Sequence, residues 1–441
     1  MTRTKEDILR EIDKAGVRYI RLCFTDILGT IKGMSITRSE IEQVLEEGQG
    51  FDGSSVEGFA RIEESDLMAI PVPVTFRIIP WDIAGEKVAM MFCDITHPDG
   101  RPYEGDPRWI LKNNIEKIKN KGWTFYVGPE IEYFYFKNNK ETGILDQDGY
   151  FDYTTVNIGT VLRKQTVGAL EDIGISVECS HHEVAPSQHE IDLKNQEALV
   201  MADFAQVYRF IVKEVALKND VYATFMPKPM FGENGSGMHC HMSLFNGDKN
   251  LFFDKKHKYH LSDMAQKFTA GVLKHIKEFT LVTNQWANSY KRLVPGYEAP
   301  VYVSWGRRNR SSMVRVPMYR VGKEKATRIE LRSPDPAANP YLAFACMLAA
   351  GLKGINENYS LAEPIEENIY HMTDKEKGKL NLDVLPNSLE NAIIEFENSS
   401  FIRETLGDHV TDKLIENKRM EWDKYRTHVS QFEIDNYLPK L

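Results

Sequence analysis

Apolar and polar positions along this chain follow two rhythms, and the places where a rhythm carries the wrong residue mark the chemistry. Residues 4–16 read as an amphipathic helix, with Thr4 as N-cap, Asp7 three places on and Gly16 at the end. Alternating residues 17–36 turn near Gly29 and predict a hairpin. A short helix (38–48), a Gly-rich loop (48–65) and a strand "KVAMMFCDI" follow, making a small domain of one helix and a few antiparallel strands. The stretch 96–108, rich in Pro, Gly and charge, is the best linker, and the expected division is 1–103 and 104–441. Beyond it, strands are expected at 123–136, 175–193, 221–227, 236–245, 300–305, 312–319 and 326–332. Helices are expected at 107–121, 158–173, 196–218, 262–280 and 338–355, with a helical, charged tail from Ser388.

Composition narrows the class. The 441 residues are 42% hydrophobic and 27% charged, with a net charge of −9, so a nucleic-acid partner is not expected. Five cysteines stand singly, which fits a reduced, cytoplasmic chain. The N-terminus has no apolar signal core, and the most apolar helix (341–352) is too short for a bilayer, so no membrane partner is expected.

The apolar strand "VGPEIEYFYF" carries Glu130 and Glu132, which share one face about 7 Å apart. "HEVAPSQHEIDL" carries Glu183 and Glu190; "GSGMHCHMSLF" puts His239, His241 and Ser243 on one face and Cys240 on the other; "RIELR" aligns Arg328, Glu330 and Arg332. Any one of these is cheaply read as a solvent face or a satisfied core histidine. Four together ask for a counter-ion, because buried carboxylates either protonate or gain one. Oxygen-rich ligands with one imidazole suit Mg²⁺ or Mn²⁺ better than Zn²⁺. Arg-dense stretches around Arg292 and Arg307–Arg315 add forks for carboxylate and phosphate. No P-loop is present, so the residues alone stop at a Mg²⁺- or Mn²⁺-dependent phosphoryl-transfer enzyme.

At these motifs the sequence resembles type I glutamine synthetase. "FDGSSVEGFARIEESD", "GPEIEYF", "EVAPSQHEI", "KPMFGENGSGMHCHMSL", "RLVPGYEAPVY", "RNRS" and "RIELRSPDPAANPYLAFA" occur in the family's order. The resemblance implies an α+β fold: a small β-grasp-like domain and a larger catalytic α/β domain built on an antiparallel half-barrel sheet. It also implies an ATP-dependent ligase joining ammonia to L-glutamate through γ-glutamyl phosphate, in a homo-oligomer of two stacked hexamers with active sites shared between subunits.

Carried over by residue, the resemblance implies that Glu132, Glu183 and Glu190 hold one cation and that Glu130, His239 and Glu330 hold another. Arg292, Asn234 and Gly235 would bind the amino acid, and Arg332 its side-chain carboxylate or the acyl phosphate. Arg310 and Arg315 would face the transferring phosphate, and His241, Ser243 and Lys325 the ATP. Glu298 would close the site, while Asp52 and Ser55 of a neighbouring subunit would bind ammonium. Arg61 resembles the arginine of the glutamine-feedback-inhibited subgroup. The surroundings of Tyr370 depart from those of the adenylylated one. The rivals are a same-fold ligase using a larger amine and an inactive structural homologue. Retained Asp52, Ser55 and Glu298 argue against the first, and a complete ligand set against the second.

Overall fold

The computed structural model describes every residue except 1–2, 57, 59–65, 153–156, 258, 308, 321 and 381, with Asp374 described in its backbone only. The first unit contains α1 (Lys5–Ala15), β1 (Val17–Thr25), β2 (Ile31–Thr37), α2 (Ile41–Glu47), β3 (Gln49–Asp52), β4 (Asp66–Pro71), β5 (Arg77–Ile78) and β6 (Lys87–Thr96). Helix α1 starts where expected: the Thr4 hydroxyl accepts from Asp7 N–H at 3.2 Å, and Asp7 accepts from Thr4 N–H at 3.1 Å. Gly16 closes it at φ +67°, a backbone that favours glycine. The sheet runs β2-β1-β6-β4-β3, with β5 also on β6.

Two expectations need correction. The sheet is not wholly antiparallel, since β1 pairs with β6 in parallel. Its near-unbroken run of buried residues from Val88 to Cys93 is the pattern of a central strand covered on both faces. The stretch read as a Gly-rich loop contributes β3, and β4, which begins directly after it, is not among the expected strands.

The second unit adds α3 (Pro107–Lys119), β7 (Trp123–Phe136), α4 (Ile158–Asp172), β8 (Val177–His182), β9 (Gln188–Leu193), β10 (Gln196–Glu197), α5 (Ala198–Lys218), β11 (Tyr222–Thr224), β12 (Met238–Asn246) and β13 (Lys249–Asn250). After these come α6 (Asp263–Thr283), α7 (Ser289–Arg292), β14 (Trp305–Gly306), β15 (Val314–Arg315), β16 (Ile329–Leu331), α8 (Pro340–Asn356), α9 (Asp374–Leu380), α10 (Leu389–Glu397), α11 (Ser400–Leu406), α12 (Asp408–Arg426) and α13 (Gln431–Tyr437). Its open, curled half-barrel sheet runs β14-β15-β16-β12-β7-β9-β8, with the short β10 and β11 also on β7 and β13 on β12.

The expected strand 175–193 is the β8–β9 hairpin. Those expected at 300–305, 312–319 and 326–332 shrink to two or three paired residues each. There the ladder is replaced by loop contacts: Asn309 Nδ2 donates to the Ile365 and Glu367 carbonyls at 3.0 and 2.6 Å.

Helices cover the sheet's other side. Helix α8 is apolar all round because it is buried all round. It lies on α6 backbone to backbone: a Cβ at Gly271 would stand 2.1 Å from the Ala350 carbonyl oxygen, so only glycine fits. Among the described residues no helix is long and apolar enough to cross a membrane. The β1–β2 hairpin tip docks on this layer, where Gln206 Nε2 donates to the Gly29 carbonyl at 3.1 Å and Asn339 Nδ2 to that of Asp26 at 3.0 Å.

Candidate active site

Strand register lays the polar side chains out in rows. Across one row, Cys179 of β8 faces Asp192 of β9, which faces Glu130 of β7, which faces His239 of β12. One step along, His181 faces Glu190, which faces Glu132. On the other flank His241 pairs with Glu330, and Glu330 with Arg315. Every second residue turns to this face. Cys240, between the two histidines, turns the other way and is fully buried in the core. The two glutamates on β7 are thus one column of a polar grid.

Two clusters form on the grid. Glu130, His239 and Glu330 each bring one ligand atom within 4.8 Å of the others, and so do His181, Glu183 and Glu190. His239 Nδ1 lies 3.2 Å from Glu130 and 3.8 Å from Glu330, while its Nε2 is 4.0 Å from Glu132. Arg328 donates to His241 Nδ1 at 3.0 Å, which fixes the tautomer so that Nε2–H donates to Glu130 at 2.6 Å. Glu132 accepts from Gln188 Nε2 at 2.8 Å and from the Gly237 amide at 3.0 Å. Glu330 is fully buried between Arg332, which donates to it at 2.6 Å, and Arg315, which also donates to it.

The electrostatics divide the carboxylates. Burial, then the Glu183 charge, pushes Glu132 well above the ordinary range; burial, then Asp192 and Glu132, does the same to Glu190. Burial opposes ionisation of Glu130 and Glu330 too. There His239 and His241 hold Glu130 far below the usual range, and Arg332 with His241 brings Glu330 down to about 2. Glu132 and Glu190 are therefore two buried acids crowding Glu183, a charge that Arg292 and Arg332 offset only in part at Glu132. That donor set of hard oxygens fits a Mg²⁺- or Mn²⁺-sized cation.

The cleft over this grid has a volume of about 240 Å³. Glu130, Glu132, Glu183, Glu190, His239, Asn234, Gly235, Arg292, Glu298, Arg310, Arg315 and Arg332, all expected, line it. Arg292 is buried, and its Nη1 donates to the Ser333 carbonyl at 2.6 Å. A Cβ at Gly237 would stand 2.7 Å from its Nη2, so the glycine lets the guanidinium lie on the strand. Glu298 is held at φ +56°, strained for a residue with a side chain. The Tyr370 hydroxyl donates to the adjacent Ala299 carbonyl at 2.6 Å.

His241 meets the site through Glu130 and not through the cleft lining, and four other described residues that were expected are not brought in. Lys325 points outward and pairs with Asp248 at 3.0 Å. Ser243 is buried on β12 beyond the cleft. Asp52, at the end of β3, accepts from Ser54 N–H at 2.8 Å; neither it nor Ser55 is among the described residues lining the cleft. Arg61 lies outside the described residues. Conversely, His181, Asp192, Gln188 and Gly237 were missed. His181 had a readable signal, since it stands two residues before Glu183 in an alternating stretch.

A half-barrel whose face gathers buried acids, histidines and arginines into one cleft is the architecture of an enzyme. Comparison with known families makes it a ligase. Residues 16–98 match the model "Glutamine synthetase, beta-Grasp domain" and residues 104–437 match "Glutamine synthetase, catalytic domain". The curated glutamine synthetase of Mycolicibacterium smegmatis is 49% identical over 99% of this chain and 100% of the relative. That of Thermotoga maritima is 48% identical, with 99% of each covered. Among solved structures, the Plasmodium falciparum glutamine synthetase aligns at TM-score 0.88 with 26% identity over 99% of both chains. The GmaS/ADP complex aligns at 0.89 with 29% identity over 100% of both. The chain belongs to the glutamine synthetase family, and its function is that of a glutamine synthetase.

Proposed function

We propose that the cleft joins ammonia to the γ-carboxylate of L-glutamate at the expense of ATP, through γ-glutamyl phosphate. The observation that carries this reading is the two-cluster grid across β7, β8, β9, β12 and β16 with Arg292, Arg310, Arg315 and Arg332 around it. Glu132, Glu183 and Glu190 would hold one divalent cation, and Glu130, His239 and Glu330 a second. When bound, Mg²⁺ or Mn²⁺ supplies charge neutralisation for a transferring phosphate.

The chain's own residues do the rest. Arg292 grips the α-carboxylate beside Asn234 and Gly235. Arg310 and Arg315 steady the phosphoryl group, and Arg332 holds the side-chain carboxylate. His241, already oriented by Arg328, faces the nucleotide side. Glu298 excludes water from an acyl phosphate that would otherwise hydrolyse. Asp52 and Ser55 bind ammonium from a neighbouring subunit, and Asp52 takes its proton. Ser243 and Lys325 would contact the ATP. We place the reaction in the cytoplasm, in a twelve-subunit assembly, with residues 1–103 and 104–441 as the two domains.

An ADP-release assay with glutamate tests the reading. Turnover should require ammonium and should not be matched by larger amines. Glu132→Ala and Glu330→Ala should each abolish it at ordinary Mg²⁺, because each leaves neighbouring charges uncompensated. Near-normal turnover in either variant would show the ligand assignment to be wrong.

A further inference from the structure

The polar grid extends one strand further than the proposed reaction uses. Cys179 lies at its outer edge, directly opposite Asp192 and two residues from His181 on the same face. Its Sγ, one ring nitrogen of His181 and one carboxylate oxygen of Asp192 all lie within 4.8 Å of one another. The thiol donates to Asp192 Oδ2 at 2.7 Å.

Two buried atoms of this trio lack hydrogen-bond partners. The His181 side chain is only 10% exposed. Its Nε2 faces Glu183 at 3.1 Å and Glu190 at 3.6 Å, which leaves Nδ1 with nothing to bond. Phe151 stacks on the ring at 4.5 Å between centroids, so the imidazole is held in place. Asp192 Oδ1 is likewise buried and unpartnered, although Asp192 stands against Glu190. Such buried orphans are costly unless something meets them. A nucleophilic role for the cysteine does not fit: burial, then Asp192 and Glu178, pushes its thiol up to about 12.

We propose that Cys179, His181 and Asp192 form a binding site for a soft divalent cation, Zn²⁺ foremost, beside the catalytic grid. A thiolate, an imidazole and a carboxylate are the ligand types Zn²⁺ takes in sites that leave one position open. The neighbouring clusters are oxygen-rich and prefer harder ions, so the two kinds of site discriminate by chemistry. Binding releases the thiol proton to solvent as Sγ and the His181 imidazole coordinate. Because His181 and Asp192 also press on Glu190 and Glu183, an occupied soft site disturbs the adjacent cluster, and Zn²⁺ acts as an inhibitor that Mg²⁺ does not displace.

Cobalt gives a readout that needs no turnover. The full-length oligomer, saturated with Mg²⁺, is titrated with Co²⁺, and thiolate-to-cobalt charge-transfer absorbance is followed in the near ultraviolet. The wild type should develop the band and Cys179→Ser should not. The other four cysteines are buried and cannot substitute for it. In parallel, Cys179→Ser should keep its Mg²⁺-supported glutamine synthesis yet need at least about tenfold more Zn²⁺ for inhibition, the scale of losing one group from a metal shell. No band in the wild type, a band that survives in Cys179→Ser, or equal Zn²⁺ sensitivity in both would overturn the proposal.

Discussion

Asp146 shows how a residue outside the cleft can govern the ligands inside it. It lies in the connection between β7 and α4. Its carboxylate holds His182 Nε2 at 2.7 Å and the Ser187 amide at 3.0 Å. The Ser187 hydroxyl in turn accepts from the Leu145 amide at 2.7 Å, and Ser187 sits at φ +60°. The tight turn between β8 and β9 is thus clamped from outside, with Glu183 at its start and Gln188 at its end. Asp146 is a positioning residue. Asp146→Ala should cost about 2–3 kcal/mol of stability, for lost bonds to a buried charged group. It should also raise the Mg²⁺ needed for half-maximal activity by about 10–100-fold, with activity recovering at high Mg²⁺. Thermal unfolding and a Mg²⁺ titration read the two effects separately; an unchanged Mg²⁺ requirement would make Asp146 merely structural. Nothing in the sequence pointed to it, because its polar stretch has no period. Glu130, Glu132 and the core-facing Cys240 were legible for the opposite reason: strand alternation assigns each a face before any contact is known.

Elements were legible where burial is periodic or complete. Strand β7 and helices α3 to α6 and α8 lie where the apolar pattern puts them, because each packs a whole face or its whole surface against neighbours. Where backbone groups bond to loops instead of ladders, as around Asn309, the pattern overstates the strand. The C-terminal helices dock through a polar joint that no pattern announces. Glu278 of α6 accepts from His275 at 2.6 Å and from the Ser399 hydroxyl that caps α11. Burial opposes ionisation of Glu278, but His275 and Ser399 outweigh it and hold the carboxyl below its usual 4.5. A depressed carboxyl contributes stability above its unfolded value and loses it as pH falls through the folded one. Glu278→Gln should therefore lower stability by about 1–2 kcal/mol at pH 7. The difference from wild type should close as pH drops below about 4.5. Urea unfolding at a series of pH values checks this, and a gap that stays constant down to pH 3 would contradict it.

At the scale of the whole molecule, the residues proposed to bind ammonium lie apart from the cleft that gathers the other proposed groups. The acid grid, Arg292 and Glu298 meet in the catalytic cleft, whereas Asp52 and Ser55 sit at the end of β3 on the N-terminal sheet, away from it. The C-terminal segment also carries Phe432, Leu438 and Leu441 at 65%, 74% and 102% exposure, apolar surface that an isolated chain would leave in water. The first feature is met if each cleft takes its ammonium-binding loop from an adjacent subunit in a closed head-to-tail ring, and the second if the C-terminal segments join two such rings. Asp52→Ala alone should then leave ATP and glutamate binding intact and slow glutamine formation by about 10² or more, the scale of a lost general base. Glu132→Ala alone should be inactive for the separate reason of a lost ligand. Co-expressed in equal amounts, the two dead variants assort at random, and about one cleft in four pairs an intact grid with an intact loop. Glutamine synthesis in the mixed assembly should recover to about a quarter of wild type, while the separately purified variants, combined without subunit exchange, stay inactive. If both residues acted within one chain, mixing would restore nothing, because every chain in the assembly would still carry one defect.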